Sequence, residues 1–457
     1  MEEEILQEKT DLLKGNITKA LILFMIPLLI SRIFQQLYNT VDTMIVGRYL
    51  GDEALAAMGA SSAVYELLVG FALGIGNGLS IVTARSFGTG DTKLLKRSVA
   101  GAVVVGIGIT GVIMLLSRVA LLPLLRLLRT PEEIIGASYE YVETLTLFVG
   151  VMFAYNLFAG LLRAIGNSVM PLVFLVMSAI LNIFLDLLCI TQLGMGIRGA
   201  AVATVAAQGI SAVLCLIYIC VKCRILLPAK EHFRFDAGLY GDLLGQGLSM
   251  GMMMAIVSTG TVVLQSAING FGSLVIAGHT AARKINSFCM MPVSVTGMAL
   301  STFVSQNRGA NQGERIRKGV FIANCICLFW GIVLMALLYP GAPFLAKFIS
   351  GSKETVVLEI GKWYMWLNAP FYAVLGILFN LRYSLQGLGR KLIPLVSSVI
   401  ELVGKILFVV LIIPHIGYLG VIICEPVIWC LMCIQLAFSF YRNPYIRQFG
   451  KKRMREG

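Results

Sequence analysis

The sequence predicts an all-α integral membrane protein with twelve transmembrane helices, arranged as two six-helix lobes related by a pseudo-two-fold axis along the membrane normal. Three observations support this fold class: the composition, the length of the apolar stretches and an internal repeat. Apolar residues make up 58% of the chain and charged residues 13%, whereas charged residues make up roughly 25% of an average soluble protein. About twelve apolar stretches are each long enough to cross a hydrocarbon core of roughly 30 Å. They are residues 17–46, 54–84, 98–123, 138–162, 168–193, 199–221, 245–270, 274–305, 319–345, 360–384, 392–413 and 418–441.

The chain also contains a repeat with a nearly constant spacing. Gly88 and Gly309 lie 221 positions apart, and the segments 166–171 (GNSVMP) and 389–394 (GRKLIP) lie 223 positions apart. Such a spacing over most of the chain indicates two homologous halves. Because each half has an even number of spans, both halves enter the membrane from the same side, which predicts the axis named above and a cavity between the lobes.

Basic residues are concentrated on one side of the predicted membrane. Segments on the side of the termini are rich in Lys and Arg, whereas the loops after the seventh and eleventh stretches contain neither. This positive-inside bias predicts cytoplasmic termini in a multi-pass protein of the bacterial cytoplasmic membrane. The net charge of +13 is then explained by topology and by contact with anionic membrane lipids, and not by binding to nucleic acid.

The same patterns divide the chain into five segments. The two lobes are flanked and joined by polar cytoplasmic segments, and we expect the whole chain to act as a monomer. The segments are an amphipathic lead-in (1–16), the amino-terminal lobe (17–222), an inter-lobe linker (223–241), the carboxy-terminal lobe (242–442) and a basic tail (443–457).

The cysteines and histidines do not indicate a metal or redox site. Most cysteines lie inside apolar stretches, and Cys220 and Cys223 form a CxxC pair without a second pair or a nearby histidine, which favours helix packing. The sequence also lacks the HExxH, GxSxG and phosphate-binding glycine motifs of common enzyme classes. We therefore predict that the protein is not an enzyme and that it needs no cofactor and no metal other than a coupling Na⁺.

A polar cluster in the amino-terminal half is the strongest functional signal. Asn182 and Asp186 are four residues apart and share one face of the fifth apolar helix. Asp42 lies near the outer end of the first helix and Thr204 just inside the start of the sixth, so all four are expected at a similar depth. A carboxylate at bilayer depth costs about 2.5–3.5 kcal/mol on insertion scales, and two close carboxylates repel each other. A bound proton or small cation would relieve this cost, which predicts an ion-driven transporter.

Each member of this cluster has a simpler interpretation as well. Asn182 and Thr204 could make ordinary interhelical hydrogen bonds. Asp42 and Asp186 could pair with Arg32 or extend toward the membrane surface.

Several motifs resemble those of the multidrug and toxic compound extrusion (MATE) family. They are the YNTVD run that ends at Asp42, the VGRYLG run that ends at Gly51, and the R/Q-x-x-G motifs after the second and eighth helices. With the six-plus-six layout, they make nearly the whole chain similar to the prokaryotic DinF-like branch.

This resemblance implies a cation site in the amino-terminal lobe, a supporting tyrosine and a bend in the first helix. The site would consist of Asp42, Asn182, Asp186 and Thr204, with Tyr141 as the tyrosine and Pro27 at the bend. The acidic pair that other branches of the family carry in the carboxy-terminal lobe has no clear match.

The repeat shows what replaces the cluster in the carboxy-terminal half. Val263 and Val409 occupy the positions of the two aspartates, Lys405 that of the asparagine and Glu425 that of the threonine. We predict that Lys405 pairs with Glu425, or with Glu401 one turn away, and acts as a tethered substitute for a mobile cation. A purely structural ion pair is the alternative.

Other residues are candidates to line a substrate cavity. Flexible thioethers suit a promiscuous apolar site, although core packing is the alternative for each methionine. Arg283 and Lys284 are adjacent and point about 100° apart, so both cannot face one cavity. The candidates are Met253, Met254, Met290, Arg283 and Glu66.

The sequence therefore predicts a secondary active antiporter that exports amphipathic, often cationic, drugs and toxic organic compounds by alternating access. The coupling ion is Na⁺ or H⁺, and the pattern of oxygen ligands fits both. A lipid or lipid-linked oligosaccharide flippase of the same superfamily is the alternative function. The mixed sign of the charges in the helices favours the antiporter.

Overall fold

The computed structural model describes residues 11–128 and 130–449. Within these ranges the chain is predominantly helical and contains no β-strand. Eleven described helices are long and apolar enough to cross a membrane, and a pair of helices bent by 50° provides a twelfth span. The predicted all-α integral membrane fold is therefore confirmed. Residues 1–10 of the predicted lead-in and residues 450–457 of the predicted tail lie outside the described residues.

The spans are named α1 to α12 in chain order. The first six are α1 (Ile17–Leu50), α2 (Asp52–Gly88), α3 (Thr92–Leu127), the bent α4 (Glu132–Leu147 and Val149–Ala164), α5 (Val169–Gln192) and α6 (Gly196–Lys222). The last six are α7 (Ala237–Asn269), α8 (Ser273–Gly309), α9 (Gly313–Ser350), α10 (Thr355–Gly387), α11 (Leu392–Ile416) and α12 (Tyr418–Tyr441). Most spans extend past the predicted apolar stretches, because backbone hydrogen bonds continue into polar residues beyond the hydrocarbon core.

The backbone repeats the same local features in both halves. Gly51 and Gly272, which precede α2 and α8, have φ values of 82° and 89°, a region that glycine adopts without strain. A π-helical turn closes α5 at Leu188–Gln192, and another lies in α11 at Phe408–Ile412. The sequence repeat thus corresponds to a structural repeat at the level of single turns.

Contacts divide the described chain into two compact units. The first contains residues 22–255 with the described residues up to Gly15, and the second contains residues 16–21 and 256–449. The division falls inside α7, so the predicted linker 223–241 belongs to the first unit. The sequence-based lobe boundaries stay a prediction.

The first half of α7 joins the first unit through a close contact between glycines. A Cβ atom at Gly74 of α2 would lie 2.9 Å from the Cα atom of Gly251, and one at Gly78 would lie 2.7 Å from the Cα atom of Gly247. Both helices carry their glycines four residues apart, the spacing that lets two helix backbones approach closely. Because glycine has no side chain, these positions allow the first half of α7 to pack closely on α2.

Two ion pairs support this contact at the start of α7. Arg85 at the end of α2 pairs with Asp242, and the Arg97 guanidinium lies 2.9 Å from the Asp236 carboxylate. Asp236 also accepts a hydrogen bond from the backbone N–H of Leu239 in the first turn of α7. This hydrogen bond, together with the nearby charge of Arg97, holds the pKa of the Asp236 carboxyl below its usual range.

Candidate cation-coupling site

Two aspartates from different helices meet inside the first unit. Asp42 of α1 is 5% exposed and Asp186 of α5 is fully buried. Their carboxyl groups are within hydrogen-bonding reach of each other when one of them carries a proton. Without that proton, Oδ1 of Asp42 and both oxygens of Asp186 have no hydrogen-bond partner. Buried polar atoms are nearly always satisfied, so this pair is a candidate site for a proton or a small cation.

Asn182 and Thr204 link α5 to α6. Asn182 is one turn before Asp186 on α5, and its side-chain amide donates a hydrogen bond of 3.4 Å to the Thr204 hydroxyl on α6. Both residues are buried. The hydrogen bond uses the amide N–H, so the Asn182 carbonyl oxygen remains without a partner and adds an oxygen to those of the carboxylates.

These oxygens suit two kinds of ligand, a small metal cation and a proton. Carboxylate, amide and hydroxyl oxygens are ligands that a small hard cation prefers, and a proton shared by two carboxylates would satisfy the same atoms. The described residues contain no group of three or more His, Cys, Asp or Glu side chains that could hold a metal ion. Any Na⁺ would therefore depend on amide and hydroxyl oxygens as well as on the two acids.

Apolar packing holds α1 against α5 and α6 at this depth. Ile45 and Val46 of α1 form a buried cluster with Ile190 of α5 and Ala200 of α6. The π-helical turn at Leu188–Gln192 begins two residues after Asp186, and such turns are frequent at functional sites. The packing of α1 on α5 and α6 and the π-helical turn thus position Asp186, in addition to its spacing of four residues from Asn182.

Three tyrosines surround the acid pair. The side chain of Tyr141 on α4 packs against the cluster of Ile45 and Val46, and its phenol is close enough to Asp42 for an electrostatic interaction. Tyr38 and Tyr65 are also close enough to Asp42 to interact with it electrostatically. Their proximity to the acids was not predicted. Tyr38 could have been identified because it lies one turn before Asp42 on the same helix, whereas nothing in the sequence indicates Tyr65.

The predicted bend at Pro27 concerns the same helix. The structure assigns α1 as one helix from Ile17 to Leu50 with Pro27 inside it, and the Ser31 hydroxyl donates a hydrogen bond of 2.7 Å to the Pro27 carbonyl. Pro27 has no N–H group and cannot complete the helix ladder. The bend therefore stays a prediction.

The second unit contains a different arrangement at the repeat-related positions. The Lys405 ammonium lies 3.0 Å from the Glu401 carboxylate and 3.8 Å from the Glu425 carboxylate, so it contacts both acids that the sequence offers as partners. The Arg283 guanidinium lies 2.9 Å from Glu425, and that of Arg382 lies 3.7 Å from Glu401. These five residues form a continuous series of alternating charges, which we call the charge ladder.

Two members of this arrangement were not foreseen. Arg382 is almost fully buried at the end of the ladder and also donates a hydrogen bond of 3.1 Å to the Ser397 hydroxyl. Tyr364 donates a hydrogen bond of 3.2 Å to Glu425, and it occupies the repeat position of Tyr141. The spacing of 223 residues between the two tyrosines could have identified Tyr364.

The candidates for the substrate cavity lie in different environments. Met253 and Met290 are buried, Met254 is half-buried and Glu66 is exposed. About a third of the Arg283 side chain is exposed, although its guanidinium pairs with Glu425. Their role in substrate binding remains a prediction.

Comparison with known proteins identifies the family. The MatE family model matches residues 27–188 and again residues 250–411, two segments whose starts and ends are each 223 positions apart. The Bacillus subtilis proteins named "Probable multidrug resistance protein YoeA" and "Probable multidrug resistance protein YpnP" are 27% and 28% identical to this chain. These alignments cover 94% of both chains for YoeA, and 86% of this chain and 87% of the other for YpnP.

A solved structure shows the same fold. It is described as the outward-facing conformation of a multidrug resistance MATE family transporter of the MOP superfamily, and it is 23% identical to this chain with a TM-score of 0.85. The match covers 93% of this chain and 95% of that structure. The family model matches the chain twice, at the spacing of the chain's own repeat. The chain therefore belongs to the MATE family of multi-pass membrane transporters.

Proposed function

We propose that this protein exports amphipathic organic compounds, many of them cationic, in exchange for the inward flow of Na⁺ or H⁺. The names of the Bacillus subtilis relatives, which describe multidrug resistance proteins, support export of several compounds. The observation that carries the proposal is the buried pair Asp42 and Asp186, in which Oδ1 of Asp42 and both carboxylate oxygens of Asp186 lack hydrogen-bond partners.

The acid pair supplies the coupling step. With both carboxylates charged, burial of the pair is unfavourable, because each charge costs about 2.5–3.5 kcal/mol at bilayer depth. The charged pair therefore favours a hydrated, open arrangement of α1, α5 and α6. Binding of a cation neutralises the pair and allows these helices to pack closely, which changes the substrate affinity of the protein.

The membrane potential provides part of the driving force. Moving one elementary charge inward across the membrane releases about 2.3 kcal/mol per 100 mV. Return of the cation to the cytoplasm, coupled to outward release of substrate, completes an alternating-access cycle. We place the protein in the bacterial cytoplasmic membrane with both termini in the cytoplasm, supported by the distribution of Lys and Arg.

Efflux from proteoliposomes with the two ion gradients imposed separately tests this proposal. Purified protein is reconstituted, ethidium is loaded, and its release is followed under a Na⁺ gradient alone, a pH gradient alone and neither gradient. Acceleration by one gradient supports the antiporter and identifies the ion. Equal rates in all three conditions, together with translocation of a fluorescent lipid, would favour the flippase.

A further inference from the structure

The side chain of Lys284 is exposed deep inside the membrane-spanning part of α8. It lies about 17 Å along the helix axis from the first residue of α8, Ser273, at a rise of 1.5 Å per residue. Because the apolar stretch of this span begins at residue 274, this distance places Lys284 inside a hydrocarbon core of roughly 30 Å. No carboxylate of the described residues lies within 4.0 Å of its ammonium group. Lys284 is therefore a charge within the membrane span that has no carboxylate counterion among residues 11–128 and 130–449.

The face of α8 that carries Lys284 differs from a lipid-facing surface. Thr280 and Ser287, one turn before and after Lys284, are exposed on the same face. By contrast, the exposed positions at the middle of α3 include Ile107 and Leu115, which are 69% and 72% exposed. Lipid tails accept such aliphatic side chains and not an ammonium flanked by hydroxyls, so this face of α8 borders water or a polar ligand.

The charge ladder carries a further excess of positive charge in the same unit. The ladder contains three cations, Arg283, Arg382 and Lys405, and two carboxylates, Glu401 and Glu425, which leaves one excess positive charge. Arg283 is the ladder member next to Lys284 in sequence, and about a third of its side chain is exposed. The ladder thus contributes one excess positive charge to the second unit, whereas Asp42 and Asp186 place two acids side by side in the first unit.

We propose that Lys284 binds the anionic group, a carboxylate, sulfonate or phosphate, of an amphipathic substrate. Thr280 and Ser287 would donate hydrogen bonds to the same group, and Phe288, which is 53% exposed one turn after Lys284, would pack against the apolar part. Charge-assisted hydrogen bonds to such groups are about twice as strong as neutral ones. This inference rests on the proposed function and extends its substrates to amphipathic anions.

The phosphate of an anionic lipid has the same chemistry as a substrate anion. The two sources are separated by the choice of membrane. Vesicles of phosphatidylcholine alone contain no net anionic lipid, and addition of phosphatidylglycerol introduces the competitor. If the site binds substrate, its affinity for an anionic probe is the same in both membranes. If the site binds lipid, phosphatidylglycerol displaces the probe.

Binding of two dyes of opposite charge tests the proposal. The full chain is reconstituted in phosphatidylcholine vesicles, and the anisotropy of fluorescein, an amphipathic dianion, and of ethidium, an amphipathic cation, is titrated. Lys284→Gln removes the charge and keeps the polarity, Lys284→Arg keeps the charge, and Lys347→Gln removes another exposed lysine of the second unit near the end of α9. Ethidium binding also reports that each variant is folded.

The expected result is saturable binding of fluorescein that weakens about tenfold in Lys284→Gln, as the loss of one charge-assisted contact implies. Lys284→Arg and Lys347→Gln should bind fluorescein like the wild type, and ethidium affinity should be unchanged in all variants. Wild-type protein that binds ethidium but not fluorescein would overturn this inference and leave the antiporter intact. Protein that binds neither dye would count against both, and equal fluorescein affinity in wild type and Lys284→Gln would overturn the role of Lys284.

Discussion

The Lys405 ammonium donates a hydrogen bond of 3.0 Å to Glu401, one turn earlier on α11, and lies 3.8 Å from Glu425 on α12. Lys405 occupies the repeat position of Asn182, so the second unit holds a cation of its own where the first unit has unpartnered oxygens. We propose that this tethered ammonium stays bound to Glu401 and Glu425 while the first unit responds to the mobile ion. A purely structural ion pair makes a different prediction for the loss of Lys405.

Replacing Lys405 by Met should destabilise the protein and create cation dependence. Glu401 and Glu425 would lose the cation that they share and keep only Arg382 at 3.7 Å and Arg283 at 2.9 Å, and breaking a buried pair costs up to about 3–5 kcal/mol. A mobile cation could then bind in place of the ammonium, so added Na⁺ or lower pH should raise the melting temperature of Lys405→Met more than that of the wild type. Thermal unfolding in detergent over a series of Na⁺ concentrations and pH values measures this effect.

Lys318→Met is the matched control for this variant. Lys318 pairs with Glu314 at the same spacing of four residues, but both side chains are more than half exposed, and such a pair contributes about 0.2–1 kcal/mol. If Lys405→Met lowers stability without any response to Na⁺ or pH, the pair is purely structural and the tethered-cation account is wrong.

Replacing Gly78 by Ala should separate α2 from the first half of α7. The added Cβ atom would lie 2.7 Å from the Cα atom of Gly247, and overpacking of this kind costs about 1–3 kcal/mol. Gly70→Ala on the same helix is the control, because a Cβ atom there meets no atom within 4 Å. Melting temperatures should fall for Gly78→Ala and hold or rise for Gly70→Ala. Equal melting temperatures would show that the glycine contact is not needed.

The carboxyl group of Asp236 should give the protein a stability that depends on pH. Its pKa is lowered in the folded state, mainly by the backbone hydrogen bond from Leu239 and also by Arg97. A lowered pKa means that the stabilisation is complete above the unfolded value of about 4 and is lost as the pH falls through the folded value. The difference in stability between the wild type and Asp236→Asn should therefore be constant above about pH 5 and decrease below about pH 4. A difference that does not change with pH would contradict this origin.

Replacing Asn182 by Leu should affect a Na⁺-driven cycle more than a proton-driven one. Na⁺ needs several oxygen ligands, and the Asn182 carbonyl oxygen is one of the unpartnered atoms at the site. A proton needs only the carboxylates. In proteoliposomes, Asn182→Leu should raise the Na⁺ concentration for half-maximal efflux about tenfold, by the loss of about 1.4 kcal/mol of ligand binding, and leave pH-driven efflux nearly unchanged. Equal losses under both gradients would exclude a specific role of this oxygen.

Local patterns in the sequence were sufficient to predict much of the fold. The apolar stretches predicted the spans because a helix must satisfy its backbone hydrogen bonds within the membrane. The spacing of Asn182 and Asp186 placed both on one helix face, and the repeat identified Lys405 and Glu425 as the counterparts of Asn182 and Thr204 in the second half. These predictions depend only on distances along the chain.

Features that depend on contacts between helices were not predictable in the same way. Tyr65 approaches Asp42, and Arg382 approaches Glu401, from helices whose rotation is fixed by packing. The pairing of α2 with the first half of α7 through Gly74 and Gly251 needs two short glycine patterns to face each other. A single sequence shows both patterns but not which helix each one contacts.

The central claim is that Asp42 and Asp186 together bind the coupling cation. Binding of radioactive sodium to purified protein, measured in parallel with proton release in a weakly buffered solution, tests it most directly. We predict saturable binding of one of these cations to the wild type and to Asp52→Asn, an exposed aspartate at the start of α2. Asp42→Asn and Asp186→Asn should bind neither cation; binding by both of these variants at the wild-type level would contradict the account.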